Sequence, residues 1–481
     1  MPSYENSPFI DGAFVSTSGT SMQVISPADA TVVATVAAAT REDLDSALRA
    51  ARHAQRAWSR TSLRHRMEVM LRVATLIERS AEELARIVVS EVGKPITEAR
   101  GEVQGAIRYF TYFAHLLDGV TDEIVPRTAE SEEIWIRRVP HGVVGAIIPW
   151  NYPAALTARK VAPAIAAGNA VVLKPHEQTP LSSLYLAALF AEAGVPDGLV
   201  NVVPGAGPDI GQALVTHPET DLVTMTGSVR AGRSILRDAA ERITPVSLEL
   251  GGKAPLIVLA DADVAAAAKA AVESRFANAG QVCISAERVY VHESRHAEFV
   301  DALRAEVAGL RVGDPMDPAT RLGPKVTEAE RDKVEAMLAA ALESGAELLA
   351  GGGRPEGEGF ARGWWMNPAV LGSVTDDMPI MRQEIFGPVM PLTSFTDTAD
   401  VVRRANDSEY GLSAYLFTND FRQVMRLVDD LRFGEVYVNR IGPEDVAGYH
   451  SGFRRSGLGG DDGRHGLDFY WQRQTVYVNW A

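Results

Sequence analysis

The sequence predicts an α/β protein built on a doubly wound parallel sheet, and three observations predict it. First, from Gly142 onward short apolar runs alternate with helical stretches. The runs are Val143–Ile148, Ala170–Leu173, Leu199–Val203 and Leu222–Met225; the helices fall at about 153–167, 180–193, 208–216 and 230–240. Alternation of this kind implies parallel strands joined by crossover helices. Second, the theme repeats in the C-terminal half. Leu256–Leu259, Val289–Val291 and Val436–Val438 read as strands, and the alanine-rich Val264–Val272 reads as a helix that Asp261 or Asp263 can cap. Third, 481 residues with 46% hydrophobic and 23% charged side chains form ample core for more than one domain.

Taken in order, residues 9–36 read as short strands: Phe9-Ile10, Ala13–Val15, Met22–Ile25 and Val32–Val36. Thr40-Arg-Glu-Asp43 is a helix N-cap with an acidic residue at the third position. Leu44, Ala47, Leu48 and Ala51 follow it on one apolar face. Helix continues to about Leu117, broken near Gly93-Lys-Pro95, with Arg64 and Arg66 expected as solvated face charges. Residues 121–140 change character, and Ile134-Trp-Ile136 reads as an exposed strand, either an ordinary sheet edge or an oligomer arm. That strand and Val476-Tyr-Val478 would leave sheet edges open in a monomer, so a homo-oligomer, dimer or tetramer, is expected. Ala350-Gly-Gly-Gly-Arg-Pro reads as a surface turn without chemistry.

Composition excludes several partners. A net charge of −15 disfavours nucleic acid and anionic membranes. No apolar run reaches the length of a membrane span, and Met1-Pro-Ser-Tyr-Glu-Asn lacks the basic-then-apolar pattern of a secretory leader. With a single cysteine, a cytoplasmic location is expected. The ten histidines are scattered, so no metal site is expected.

That cysteine, Cys283, closes the stretch Phe276-Ala-Asn-Ala-Gly-Gln-Val-Cys283. A lone buried cysteine is ordinarily a small hydrophobe. The stretch Leu248-Glu249-Leu250-Gly251-Gly252-Lys253 changes its meaning, because it places a carboxylate in an apolar, glycine-flanked setting 34 residues earlier. A thiol with a carboxylate base can make and then hydrolyse a thioester. Glu249-Leu-Gly-Gly-Lys and Asn278-Ala-Gly-Gln-Val-Cys283 resemble the paired signatures of the NAD(P)-dependent aldehyde dehydrogenase superfamily, and the resemblance runs from about Phe9 to Val476.

The resemblance implies a Rossmann-like NAD-binding domain over 1–120 and 141–250, a catalytic domain over 251–455, and a small β oligomerisation or bridging element over 121–140 and 456–481. Its implied mechanism takes the aldehyde through a thiohemiacetal and a thioester at Cys283, with Glu249 activating water. The presence of Glu249 favours hydrolysis over acyl transfer to coenzyme A. Asn151, in Pro149-Trp-Asn-Tyr-Pro153, is a turn asparagine or an oxyanion donor; the resemblance favours an oxyanion hole of its side chain with the Cys283 backbone N–H. Lys160 is implied as an aid to the thiolate. Asp461 stands where the family commonly has glutamate, so a proton relay implied by that glutamate does not carry over to this position.

For the cofactor, Gly205-Ala-Gly207-Pro-Asp-Ile-Gly211 and Thr226-Gly227-Ser228 each follow a strand and open a helix, where amides can meet phosphate. The first has one residue too many for the usual dinucleotide fingerprint. Lys174-Pro-His-Glu177 is a surface ion pair or a grip on a ribose diol. The resemblance favours the grip, and the Glu177 carboxylate then favours NAD over NADP. Ile148, Pro149, Trp150 and Leu250 are expected to line the groove, with Glu384 and Phe386 at the nicotinamide ribose. Arg159, Glu444 and His450 resemble the substrate pocket of the family's lactaldehyde/glycolaldehyde dehydrogenases. Arg159 alone suggests an anionic substrate such as succinate semialdehyde; neutralised by Glu444, it suits a hydroxy-aldehyde, or it is a structural ion pair. A catalytically silent cofactor-binding protein is the remaining alternative.

Overall fold

The computed structural model describes residues 4–127 and 129–481. Four helices, Arg41–Trp58, Leu63–Arg79, Ala81–Val92 and Ile96–Leu116, precede the first long strand. Thr40 starts the first of them with a full capping box: its hydroxyl accepts from Asp43 N–H, and Asp43 accepts from Thr40 N–H at 2.8 Å. Leu44, Ala47, Leu48 and Ala51 form its buried stripe. Gly93, at φ 82°, ends the third helix in the left-handed region that glycine enters without penalty.

One expectation about this helical layer is corrected. Arg64 is a surface charge paired with Glu68, but Arg66 is buried. Its guanidinium donates to the carbonyls of Trp58, Ser59, Thr61 and Ala166, so it ties the end of the first helix to a helix behind the sheet. Carbonyls at the end of the first helix, with that of Ala166, supply the acceptors that make this burial tolerable.

The first sheet has the order Gly457–Leu458, Val246–Glu249, Leu222–Thr226, Val143–Ile147, Ala170–Lys174, Val200–Val202, Phe9–Ile10, Ala13–Phe14. Its five central strands are parallel, with Ile147 opposite Lys174 on one side and Met225 on the other. The chain runs outward from Val143–Ile147 in one direction, then returns to its other side at Leu222–Thr226. That reversal is the switch point where such sheets open a crevice beyond their carboxyl ends. Gly457–Leu458, which the sequence groups with the bridging element, instead adds an antiparallel edge here against Leu248 and Glu249.

The second sheet has the order Glu347–Gly351, Ala369–Gly372, Val389–Phe395, Ala286–His292, Ala254–Val258, Ser413–Phe417, Glu435–Val438. Only Leu250-Gly251-Gly252-Lys253 separates its strand Ala254–Val258 from Val246–Glu249 of the first sheet. This short link places the end of one sheet beside the start of the other. Glu132–Pro140 pairs antiparallel with Trp471–Asn479 and with Glu123–Val125 in a third, projecting sheet, which leaves Ile124 and Tyr477 exposed. No helix among the described residues is long and apolar enough to cross a membrane.

Candidate active site

A cavity of about 1170 Å³ lies beyond the carboxyl ends of the first sheet and is closed on its far side by loops of the second. Every sequence-predicted site residue lines it except Glu249 and Lys160, which lie behind its wall.

The loop before Cys283 is held in an uncommon conformation. Asn278, Ala279 and Gly280 are successive left-handed residues, at φ 47°, 54° and 73°. For the two non-glycine residues this costs about 1–2 kcal/mol each. Buried partners hold it: Glu98 accepts from Asn278 N–H at 2.7 Å, and the Asn278 amide donates to the Asn151 carbonyl at 3.0 Å. Lys94 Nζ donates to the same carbonyl at 2.7 Å and to Glu102 at 2.6 Å. Glu102 in turn caps the helix Pro153–Ala166 by accepting from Ala154 and Ala155. The Asn151 side chain donates one amide hydrogen to Gln281 O at 3.0 Å, which leaves its second hydrogen for a ligand. Gly252 packs so closely that a Cβ there would sit 2.4 Å from the Cys283 carbonyl oxygen. The two sequence motifs are therefore in direct contact. A partly exposed thiol, a neutral amide donor and backbone N–H groups around one cavity can support nucleophilic addition to a carbonyl.

Glu249 ends its strand almost fully buried, and neither carboxylate oxygen has a hydrogen-bond partner among the described residues. Burial pushes its carboxyl up to about 8, against the opposing charge of His450. His450 Nε2 lies 3.5 Å from Glu249, and its Nδ1 lies 3.1 Å from Glu435. Burial and Arg159 disfavour the imidazolium, but Glu435, Glu444 and Glu249 outweigh them and raise it well above the ordinary histidine value. Both ring nitrogens thus face carboxylates, and the residue also lines the cavity. Lys160, expected near the thiolate, places its ammonium on Asp461 at 2.6 Å, because a buried cation takes the nearest carboxylate.

Arg159 is buried and saturated with carboxylates. Nη1 donates to Glu444 at 2.9 Å, Nε donates to Asp462 at 3.0 Å, and Nη2 also bonds Asp462. Burial opposes ionisation of Glu444, but Arg159 and then His450 hold its carboxyl down to about 2. Burial pushes Asp462 up to about 7 despite the same guanidinium.

The rest of the cavity could hold a dinucleotide. Lys174 Nζ, bonded to Pro175 O and Gly205 O, lies 3.7 Å from Glu177, which suits a pair of ribose hydroxyls. Ser228 caps the helix Val229–Ala240, whose N-terminus faces the cavity beside Gly227. Gly207 has open space where a side chain would be, and Gly211 packs on the Lys174 stem. Trp150 and Phe386 meet edge to face at 5.4 Å, and Glu384 accepts from Gly252 N–H at 2.8 Å. Ile148, Pro149 and Leu250 complete the apolar wall. The donor set, apolar walls and glycine-lined groove fit a nicotinamide dinucleotide. No group of three or more metal-ligating side chains occurs among the described residues.

These features define an aldehyde-oxidising enzyme fold, and the chain belongs to the aldehyde dehydrogenase family, whose model matches residues 14–476. It is 49% identical to a 3,6-anhydro-alpha-L-galactose dehydrogenase of Streptomyces coelicolor over 98% of this chain and 96% of that one. It is 37% identical to a D-glyceraldehyde dehydrogenase (NADP(+)) of Picrophilus torridus, with the same coverage of both. The crystal structure of lactaldehyde dehydrogenase from Escherichia coli superposes with a TM-score of 0.95 at 38% identity, covering 98% of each chain.

Sequence reasoning missed Asp462, Glu435, Lys94 and Glu102. One signal was available for the first. Arg159-Lys160 interrupts an otherwise uncharged helix, and Asp461-Asp462 is an adjacent acidic pair in a glycine-rich turn. Two neighbouring buried cations demand two neighbouring anions.

Proposed function

We propose that this chain is a hydrolytic, NAD-linked aldehyde dehydrogenase acting on 2-hydroxy-aldehydes such as lactaldehyde and glycolaldehyde. The observation that carries the substrate class is the saturation of Arg159 by Glu444 and Asp462 at the wall of the Cys283 cavity. A guanidinium already paired with two carboxylates is a poor clamp for a substrate carboxylate, but the outer lone pairs of Glu444 can accept from a hydroxyl. The same chemistry extends to a larger hydroxylated aldehyde. The 49% identity to the 3,6-anhydro-alpha-L-galactose dehydrogenase favours that second reading.

In the proposed mechanism the Cys283 thiolate adds to the aldehyde carbon, and the Asn151 amide and the Cys283 N–H stabilise the resulting oxyanion. Lys174, Glu177, Gly227, Ser228, Glu384 and Phe386 would hold the dinucleotide, which supplies the hydride acceptor when bound. Glu249 then takes a proton from the water that attacks the Cys283 thioester. Glu177 beside the ribose would repel a 2′-phosphate, which favours NAD.

Reduced-cofactor formation with lactaldehyde, glycolaldehyde, 3,6-anhydro-L-galactose and succinate semialdehyde, each with NAD and NADP, tests this reading. The hydroxy-aldehydes with NAD should give the highest kcat/KM, and Cys283→Ala should abolish turnover. Preference for succinate semialdehyde refutes the substrate class. Turnover in Cys283→Ala refutes the mechanism, and dinucleotide binding without oxidation of any aldehyde identifies a silent binding protein.

A further inference from the structure

We propose that His450 is a positioning and relay residue for Glu249, carrying the hydrolytic proton outward to Glu435. The inference rests on the hydrolytic reading above.

The geometry joins carboxylates from two sheets. Glu249 ends a strand of the first, Glu435 opens the edge strand Glu435–Val438 of the second, and the His450 ring spans them at 3.5 Å and 3.1 Å. Both are ion-pair separations without the alignment of a hydrogen bond, so a modest rotation of either carboxylate closes the chain. The His450 backbone is fixed by reciprocal bonds with Asp461, at 3.0 and 2.8 Å. Side-chain exposure is 3% at Glu249, 2% at His450 and 12% at Glu435, so the series leads from the interior toward solvent. The other charged neighbour route, through Lys160, ends on Asp461, whose side chain is only 2% exposed. The charged groups around His450 are Glu249, Arg159, Glu435, Glu444, Asp461 and Asp462.

The step balances. Water oxygen bonds to the thioester carbon, the C–S bond breaks with its electron pair returning to Sγ, and a water proton passes to Glu249. His450, held as an imidazolium by the surrounding carboxylates, gives its Nδ1 proton to Glu435, which releases it to solvent; a half-turn of the ring then presents the bare nitrogen to Glu249, which passes its proton there and restores the imidazolium. Glu249 is thereby reset as a base for the next turnover.

The test is rapid mixing of enzyme, NAD and lactaldehyde for wild type, His450→Ala and Glu435→Gln, with the mass of the intact protein recorded during turnover. Both variants should give a burst of NADH equal to the sites present and accumulate an acyl adduct at Cys283. Steady turnover should then fall about tenfold to a hundredfold. Free imidazole, which can enter through the cavity that His450 lines, should restore part of the rate to His450→Ala. Glu435→Gln, a near-isosteric change at a sheet edge, reads the same step if His450→Ala misfolds. Wild-type deacylation rates in folded variants, or a raised aldehyde KM with deacylation unchanged, overturn the relay alone. Absence of any acyl adduct at Cys283 overturns the hydrolytic reading on which it rests.

Discussion

Glu444→Gln tests whether charge neutralisation at Arg159 selects the substrate. Arg159 Nη1 meets Glu444 at 2.9 Å, and Arg159 holds that carboxyl down to about 2, so it stays ionised across any practical assay pH. The amide preserves shape and still offers an oxygen to Nη1, but it removes one negative charge. At an effective dielectric of about 20, unit charges about 4 Å apart interact by about 4 kcal/mol. A substrate carboxylate entering the cavity still competes with Asp462. Recovery of about a third of that energy, ~1.4 kcal/mol, corresponds to about tenfold. The assay is the ratio of kcat/KM for succinate semialdehyde to that for lactaldehyde, with thermal unfolding as the control for folding. The ratio should rise about tenfold. An unchanged ratio in a folded variant refutes the claim that Glu444 suppresses anionic substrates.

Further predictions concern the base, the loop contact and the helical layer. Because the Glu249 carboxyl is pushed up to about 8 and only its ionised form accepts a proton, hydrolysis should accelerate as pH rises through about 8; a flat profile of deacylation against pH removes Glu249 as the base. Gly252→Ala places a Cβ 2.4 Å from the Cys283 carbonyl, and the resulting shift of the loop should lower kcat about a hundredfold. Wild-type kcat in this variant would show that the contact is not needed to place the thiol. Arg66→Leu strips charged donors from the carbonyls of Trp58, Ser59, Thr61 and Ala166 and should destabilise the fold by about 2–4 kcal/mol, read from the denaturant midpoint; an unchanged midpoint refutes this.

The elements most legible in the sequence were those governed by local rules. Thr40 and Asp43 form a capping box because both partners lie within one turn. The fully apolar runs became the central strands because both of their faces are covered. The Cys283 and Glu249 motifs pointed to one cavity through the family resemblance. Long-range pairing was less legible. Arg66 looks like a face charge in its own helix, and only the loop carbonyls and Ala166 explain its burial. Lys160 and Arg159 depend on Asp461 and Asp462 some three hundred residues away, and Glu435 acquires its place from the packing of a second sheet. Period and propensity describe how a segment folds; they do not specify which distant charge it meets.

The resting place of Glu249 gains a physical rationale under the proposed mechanism. An ionised carboxylate inside the cavity would disfavour the Cys283 thiolate, since like charges raise the pKa of a neighbouring acid. It would also oppose the oxyanion that Asn151 is placed to stabilise. Set behind the wall against His450, and kept close to neutrality by burial, Glu249 exerts little of that repulsion during addition. Once a thioester has formed, neither sulfur nor carbonyl carries a formal charge, and a base can approach without that penalty. Withdrawal of the base therefore serves the first half-reaction, and a proton route through His450 serves the second.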